Sequence, residues 1–316
     1  MKHKTIRGIL FALISGICWG FSGTVGQYLF VHTQMDSGWL TTVRLLSAGL
    51  ILLAMAAAKA PKALVQVWQN KKDAIQLIFF GIAGLMAVQF CYMQAIFHSD
   101  SGTATAVQYS GEAMLLVYTC LVGRRLPKIS EALGLFLALF GIFLLATHGS
   151  LSNMVLSPAG LGWGLAAAAA LVVYTVAPGR LIQKYGSSPV IAYGMLIGGA
   201  CLALVLRVWR LPGVYSREAL LGLGAIVLIG TVLGFTLYLQ STVLIGGLKA
   251  GLIAAVETVS APLFSRLWLK TPFIMLDYLG FACILAMVFL ISLPELLRQR
   301  QERVTFTGKS ANFSQS

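Results

Sequence analysis

Residues 246–262 read Gly246-Gly-Leu-Lys-Ala-Gly-Leu-Ile-Ala-Ala-Val-Glu257-Thr-Val-Ser-Ala-Pro262. The stretch places one carboxylate, Glu257, in the middle of an apolar run lined with small residues. Small residues let another helix approach closely, and an acid at such a depth is costly unless it is paired, protonated or hydrated. Pro262 frees a backbone carbonyl one turn earlier, near Thr258. The pattern therefore predicts a membrane helix that carries a binding site, with a structural tie between two helices as the alternative.

The composition of the whole chain is that of a polytopic membrane protein. Of its 316 residues, 58% are hydrophobic and 10% are charged, and the mean hydropathy is +0.84. A soluble protein carries about a quarter charged residues. The net charge of +13 lies in short clusters between apolar runs, as on the cytoplasmic side of membrane proteins. The predicted partner is therefore the lipid bilayer and not nucleic acid.

Ten apolar runs are long enough to cross a bilayer, which takes about 20 residues. They cover residues 6–30, 39–58, 74–97, 102–121, 129–147, 160–178, 189–208, 219–240, 247–268 and 273–293. The first run is too long for the core of a signal peptide, so it is predicted to be a retained helix. The predicted fold is an all-α membrane protein with ten transmembrane helices. Residues 299–316 are polar and are predicted to form a mobile cytoplasmic tail.

The distribution of Lys and Arg predicts the orientation in the membrane. With a cytoplasmic amino terminus, seventeen of the 23 basic residues lie on the cytoplasmic side and five on the other, and Arg44 lies inside a span. The bias places both termini in the cytoplasm. The loops after spans seven and nine are basic yet predicted to lie outside, so the first half of the chain carries most of this prediction.

Ten spans divide into two halves of five, residues 8–148 and 160–293. An odd number of spans per half means that the halves insert with opposite topology, as an inverted repeat. An offset of 146 positions aligns Gly134 with Gly280 and Gly111 with Glu257. Glu112 is thus one residue out of register with Glu257. Pairs of Gly four residues apart, such as Gly16/Gly20 and Gly230/Gly234, predict close helix packing in both halves.

Besides Glu257 in the second half, three polar residues lie deep within spans of the first half. Glu112 is near the middle of span four, and Gln108 lies one turn earlier on the same helix face. This clustering favours a cavity lining over a lipid-facing surface. Arg44 lies about 7 Å into span two. From there it contacts a substrate, forms a structural ion pair or snorkels outward to water, and the sequence leaves these open.

A mixed polar and aromatic face on span three predicts a cavity wall. Gln89, Tyr92 and Met93 stand at positions i, i+3 and i+4, although a packing stripe with two hydrogen bonds explains the pattern equally well. Trp19 lies too deep to be an interface anchor and is predicted to border a cavity. Asp277 is predicted to be a solvated cap. Weaker candidates are Ser22, Gln27, Trp163, Tyr174, Tyr238 and Gln240.

No motif in the chain predicts catalysis, a metal site or a cofactor. There is no phosphate-binding loop, Gly-x-Ser-x-Gly turn or His-Glu-x-x-His pattern. The five cysteines lie within apolar runs and form no Cys-x-x-Cys pair, so neither a zinc site nor a disulfide framework is predicted. The sequence therefore predicts a protein that is not an enzyme.

Four segments together resemble the EamA-type branch of the drug/metabolite transporter superfamily. They are Gly16-Ile-Cys-Trp19-Gly20-Phe-Ser22, Arg44-Leu-Leu, Gly230-Thr231 with Tyr238, and Ala-Val-Glu257. The resemblance covers residues 8–293. It implies two EamA repeats of five helices, a central substrate cavity and alternating access in the cell (inner) membrane. The activity it implies is export of a small metabolite such as an amino acid or a related amine.

The chain departs from the family pattern at two places. Where the family often has Glu-Pro in spans four and nine, this chain has Gly111-Glu112 and Glu257-Thr258. Where the family often ends these spans with Gly-Glu, the residues are Gly123-Arg124-Arg125 and Leu269-Lys270-Thr271. A gate built on that family acid is therefore not predicted here.

The residues favour a secondary transporter in which Glu257 and Glu112 bind a solute amine or exchange protons. A channel-like facilitator is the alternative on the same fold, but no ring of acids repeats along the spans. A non-transporting membrane scaffold or sensor is a further alternative, and no loop is long enough to hold a soluble sensory domain.

Overall fold

The structure of the protein is a computed structural model that describes residues 2–59, 61–150, 154–211 and 213–313. Within these ranges the chain is helical apart from short connections, and it contains no strand. This confirms the predicted all-α membrane fold. Residues 151–153, in the predicted connection between the halves, lie outside the described residues.

We number ten long helical segments in chain order. They are α1 (Lys2–Thr33), α2 (Ser37–Lys59), α3 (Lys71–Phe97), α4 (Ser101–Tyr109 and Gly111–Val122), α5 (Ile129–Thr147), α6 (Pro158–Val176), α7 (Ser187–Leu206), α8 (Arg217–Ile245), α9 (Gly247–Ala254 and Glu257–Trp268) and α10 (Met275–Phe313). Three short helical segments, Pro61–Gln69, Gly179–Tyr185 and Val208–Arg210, lie in the connections.

Nine of these segments in the described chain are long and apolar enough to cross a membrane. The exception is α4, which Ser110 divides into pieces of 9 and 12 residues. A crossing by α4, and with it the count of ten, stays a prediction. The backbone of α10 is helical to Phe313 and so includes most of the stretch predicted to be a mobile tail. The mobility of that stretch stays a prediction as well.

Irregular backbone recurs in both halves at the same offset. A π-helical segment, Phe80–Met86, lies within α3, and a second one, Ile226–Leu233, lies within α8. The interrupted helices α4 and α9 resume at Gly111 and Glu257. The starts of both pairs are 146 positions apart, the offset found in the sequence. The coincidence favours the predicted duplication into two halves.

Helices of the two halves interlock instead of forming separate bundles. The largest contacts join α5 to α10, α2 to α7, α1 to α8 and α3 to α6. Helix α1 also packs against both pieces of α9. Because α1 runs between α8 and α9, residues on these three helices meet in the middle of the protein.

A buried carboxylate ties the two halves together where α3 begins. The Asp73 side chain is 0% exposed, and its Oδ2 accepts hydrogen bonds from Lys184 Nζ (2.6 Å) and Tyr185 Oη (2.8 Å). Arg180 lies 3.7 Å from its Oδ1. The hydrogen bond to Asp73 raises the pKa of Lys184 above its usual value. The basic residues before α7, which the sequence marks only as topology signals, therefore also neutralise this acid.

Asp73→Asn is expected to lower the melting temperature of the purified protein in detergent. The neutral amide removes the charge that holds Lys184 and the Tyr185 hydroxyl, which ties α3 to the short helix before α7. The matched control is Glu218→Gln, an exposed acid in the first turn of α8 that is expected to melt like the wild type. Equal melting temperatures for all three proteins would contradict this role of Asp73.

Candidate functional site

Glu257 lies at the point where α9 is interrupted. After Ala254 the backbone turns through tighter hydrogen bonds, from Val256 N to Ile253 O (3.2 Å) and from Thr258 N to Ala255 O (3.0 Å). The Thr258 hydroxyl also donates to Ala255 O (2.8 Å), so it satisfies a carbonyl that the interruption leaves without its helical partner. The irregular backbone at Ala255 and Val256 thus precedes Thr258, near which Pro262 is expected to free a carbonyl.

The interruption of α4 faces the one in α9 through a single hydrogen bond. Tyr109, the last residue before the interruption, donates its hydroxyl to Glu257 Oε2 over 3.1 Å. The Ser110 hydroxyl donates to Val107 O (2.6 Å), as Thr258 does in α9. Glu257 is 9% exposed, so its carboxyl is held in a largely dry setting. Sequence reasoning missed Tyr109, although a deep phenol next to Gln108 was a usable signal.

Arg44 is buried and points toward this region. Its side chain is 3% exposed, and Nε donates to Thr231 Oγ1 over 2.9 Å. Thr231 belongs to the π-helical segment of α8, and its hydroxyl donates in turn to Ile226 O (3.0 Å). Arg44 interacts electrostatically with Tyr92 and Glu257, but among the described ion pairs none joins it to Glu257. The option that Arg44 snorkels outward to water is therefore wrong.

Trp19 packs from α1 onto α8. Its ring lies 5.4 Å from that of Phe235 and 5.2 Å from that of Tyr238, centroid to centroid. The indole Nε1 sits against Gly234, and one turn along α1 the Ser22 hydroxyl sits against Gly230. The two glycines thus make room for polar side chains of α1, beyond the plain helix packing that their spacing predicts.

The remaining predicted residues surround this centre with fewer contacts. Tyr92 is buried and its hydroxyl is 2.8 Å from Thr105 Oγ1. Glu112 is half-buried and interacts electrostatically with Tyr109 and Tyr238. Over the described residues, the half-buried side chains of Gln89 and Gln108 make no hydrogen bond. The structure therefore groups Glu257 with Arg44, Tyr92 and Tyr109, and leaves the two glutamines at the edge.

Polar ties close the end of the bundle where α4 and α10 begin. Gln27 accepts from the Ser101 amide (3.0 Å) and the Ser265 hydroxyl (2.9 Å) and donates to Thr271 Oγ1 (3.2 Å). Nearby, His148 Nε2 is 2.8 Å from Asp277 Oδ1. Asp277 is only 5% exposed, so its prediction as a solvated cap is wrong. It does cap α10, through a bond from Ile274 N to Oδ2 (2.9 Å).

Through the described ranges, no cluster of three His, Cys, Asp or Glu residues is suited to hold a metal ion. The polar groups at the centre include the Glu257 carboxyl, the Arg44 guanidinium, the Tyr92 and Tyr109 phenols and the Trp19 indole. Groups of these kinds are able to bind a small polar solute and to exchange protons.

Comparison with known proteins gives one family and several relatives. The model of the EamA-like transporter family matches residues 6–147 and 158–293. The chain is 37% identical to the uncharacterized inner membrane transporter YicL of Salmonella typhimurium, over 94% of this chain and 99% of that protein. It is 25% identical to the chloroplastic WAT1-related protein At3g02690 of Arabidopsis thaliana, over 81% of this chain and 63% of that one.

A solved structure shares the fold. This crystal structure superposes with a TM-score of 0.61 over 92% of this chain and 98% of the other, at 18% sequence identity. At that identity the likeness concerns the fold alone.

Proposed function

Since the chain belongs to the EamA-like transporter family, we propose that it is a secondary transporter that exports a small metabolite, such as an amino acid or related amine, by alternating access. The observation that carries the proposal is the Glu257 carboxyl, bound by Tyr109 where α4 and α9 are both interrupted. Interrupted helices at corresponding positions of two halves are a recurring mark of solute sites in secondary transporters.

Both halves of the chain supply the site. Tyr109 and Arg44 come from the first half, and Glu257 and Thr231 come from the second. A relative movement of the halves therefore changes the contacts of Tyr109 with Glu257 and of Arg44 with Thr231. The repeats over residues 8–148 and 160–293 are part of this proposal.

The chemistry of Glu257 suits exchange of a proton for a solute amine. A carboxyl in an apolar interior is stable when it is protonated or when it is paired with a cation. A single carboxyl does not hold both partners at once, so binding of an amine displaces the proton. We expect Glu112 to act separately, because no hydrogen bond among the described residues joins it to Glu257 or to Tyr109.

The proposed location is the inner membrane, with several crossings and both termini in the cytoplasm. The charge bias of the loops supports this location, and so does the similarity to YicL, which is named an inner membrane transporter. The polar ties at both ends of the bundle, around Asp73 and around Gln27, disfavour a permanently open channel.

A deletion strain identifies the solute and tests the function. The strain is screened for sensitivity to amino acids, nucleosides and amphiphilic cations, and each active compound is then tested in proteoliposomes. We expect the solute flux in proteoliposomes to saturate, to have the turnover rate of a carrier, and to exceed the flux in liposomes without protein. Flux equal to that of empty liposomes for every compound would overturn the transport proposal, and non-saturating flux would favour the channel-like facilitator.

A further inference from the structure

Three buried hydrogen-bond donors near the centre have no partner in the part of the chain that the structure describes. Among the described residues, the buried side-chain N and O atoms without a hydrogen bond are Trp19 Nε1, Ser22 Oγ, Arg44 Nη1 and Asp73 Oδ1. The last of these has Arg180 at 3.7 Å. The other three belong to α1 and α2, and each is able to donate. Leaving a buried donor unpaired is unfavourable, so three such donors in one region call for a ligand.

The three donors lie against a single turn of α8. Ser22 Oγ contacts Gly230, and Trp19 Nε1 contacts Gly234. Arg44 is fixed at Thr231 by its Nε, which leaves Nη1 free. Gly230, Thr231 and Gly234 lie within five consecutive residues, so the three donors meet one short stretch of α8.

The site is built and not incidental. Thr231 lies in the π-helical segment and uses its hydroxyl both to donate to Ile226 O and to accept from Arg44. A Cβ at position 234 would lie 2.8 Å from Trp19 Nε1, so glycine at this position lets the indole approach α8 closely. Thr231 on α8 therefore holds the Arg44 guanidinium of α2, and Gly234 on α8 receives the Trp19 indole of α1.

The matching ligand is an anionic oxygen group. All three atoms donate, one of them belongs to a permanent cation, and the planar fork of Arg suits a carboxylate. We infer that Arg44, Trp19 and Ser22 form a subsite for a carboxylate of the transported solute. The inference rests on the proposed function and deepens it, because it assigns a chemical group to the solute. The Glu257 side chain nearby repels a bare anion unless it is protonated or faces a cationic part of the same solute.

The test is a titration of the full-length protein in nanodiscs with small carboxylates, monitored by ¹⁵N NMR of the indole groups. The Trp19 resonance is assigned with Trp19→Phe. Sodium acetate and glycine serve as carboxylate probes, and methylammonium chloride is the matched probe without a carboxylate. We expect both carboxylates to shift the Trp19 resonance saturably, and methylammonium chloride to leave it in place.

Variants test whether Arg44 and Ser22 are needed for the shift of the Trp19 resonance. Arg44→Met is expected to abolish the shift, and the milder Ser22→Ala is expected to weaken the apparent affinity about tenfold, the value of one hydrogen bond to a charged group. Arg217→Met, which changes an exposed cation, is expected to titrate like the wild type. The Ser22 variant keeps the test decisive if the Arg44 variant fails to fold.

Three results would overturn the inference. A carboxylate response that Ser22→Ala leaves at wild-type affinity would show binding elsewhere. Equal shifts with methylammonium chloride would show a site for free inorganic ions. No saturable shift with either carboxylate would remove the subsite. Flux in proteoliposomes is measured separately, so loss of the subsite with flux intact is distinguished from loss of transport with the subsite intact.

Discussion

Glu257→Gln is expected to remove the response of solute flux to an imposed pH gradient in proteoliposomes. The wild-type carboxyl is 9% exposed and bound by Tyr109, so it exchanges its proton only with a solute or with water that enters the site. Glutamine keeps the shape of the side chain but neither loses a proton nor pairs with an ammonium group. Interactions of charged groups are worth about 1.5–3 kcal/mol, so we expect gradient-driven flux to fall at least about tenfold.

Glu112→Gln is expected to fail differently. Glu112 is one residue out of register with Glu257 and lies near Tyr109 and Tyr238, so its loss is expected to alter apparent affinity and leave the pH response in place. Glu218→Gln is the exposed control for both variants. Gradient-driven flux that is unchanged in the protein carrying both Glu257→Gln and Glu112→Gln would rule out the proposed coupling.

Gly16→Val is expected to disrupt the fold near the site and abolish transport. A Cβ at Gly16 would collide with the carbonyl oxygen of Ala254 and with Val256, which are the residues at the interruption of α9. One turn later, a Cβ at Gly20 would collide with the Ser260 hydroxyl and the Ala261 amide. Because the Ala254 oxygen and the Ala261 nitrogen are backbone atoms, α1 has to move away, and such overpacking costs about 1–3 kcal/mol or more.

Gly162→Val is the matched control for Gly16→Val. Gly162 lies in α6, is exposed, and would place a Cβ with no heavy atom within 4 Å. Thermal melting and size-exclusion chromatography of the purified proteins report the fold, and proteoliposome flux reports the activity. We expect the Gly16 variant to melt earlier and to be inactive, with the Gly162 variant close to the wild type. Wild-type melting and flux for Gly16→Val would contradict the close approach of α1 to α9.

Hydropathy was sufficient to predict nine helices in the described chain that are long and apolar enough to cross a membrane, because a bilayer imposes a length on every crossing. The order of the motifs along the chain was sufficient to identify the family, and that assignment is confirmed. The irregular backbone recurs at the offset of 146 that the sequence shows, but its local form did not follow from the sequence. At the interruptions of α4 and α9, the Ser110 and Thr258 hydroxyls bond carbonyls three residues earlier.

Contacts between distant residues account for what the sequence did not reveal. The partners of Asp73 lie 111 and 112 positions away, and Tyr109 lies 148 positions from Glu257. No helical periodicity links residues so far apart. Arg44 shows the same limit, because its depth was predictable but its bond to Thr231 required the packing of α2 against α8. The roles of these residues in solute binding stay proposals.

A cryo-electron microscopy structure of the protein with a solute shown to be transported tests the central proposal most directly. We expect density for the solute between the interruptions of α4 and α9, within hydrogen-bond distance of the Glu257 carboxyl and close to Tyr109. Density at any other place, with Glu257 bound only to Tyr109, would contradict the proposed site.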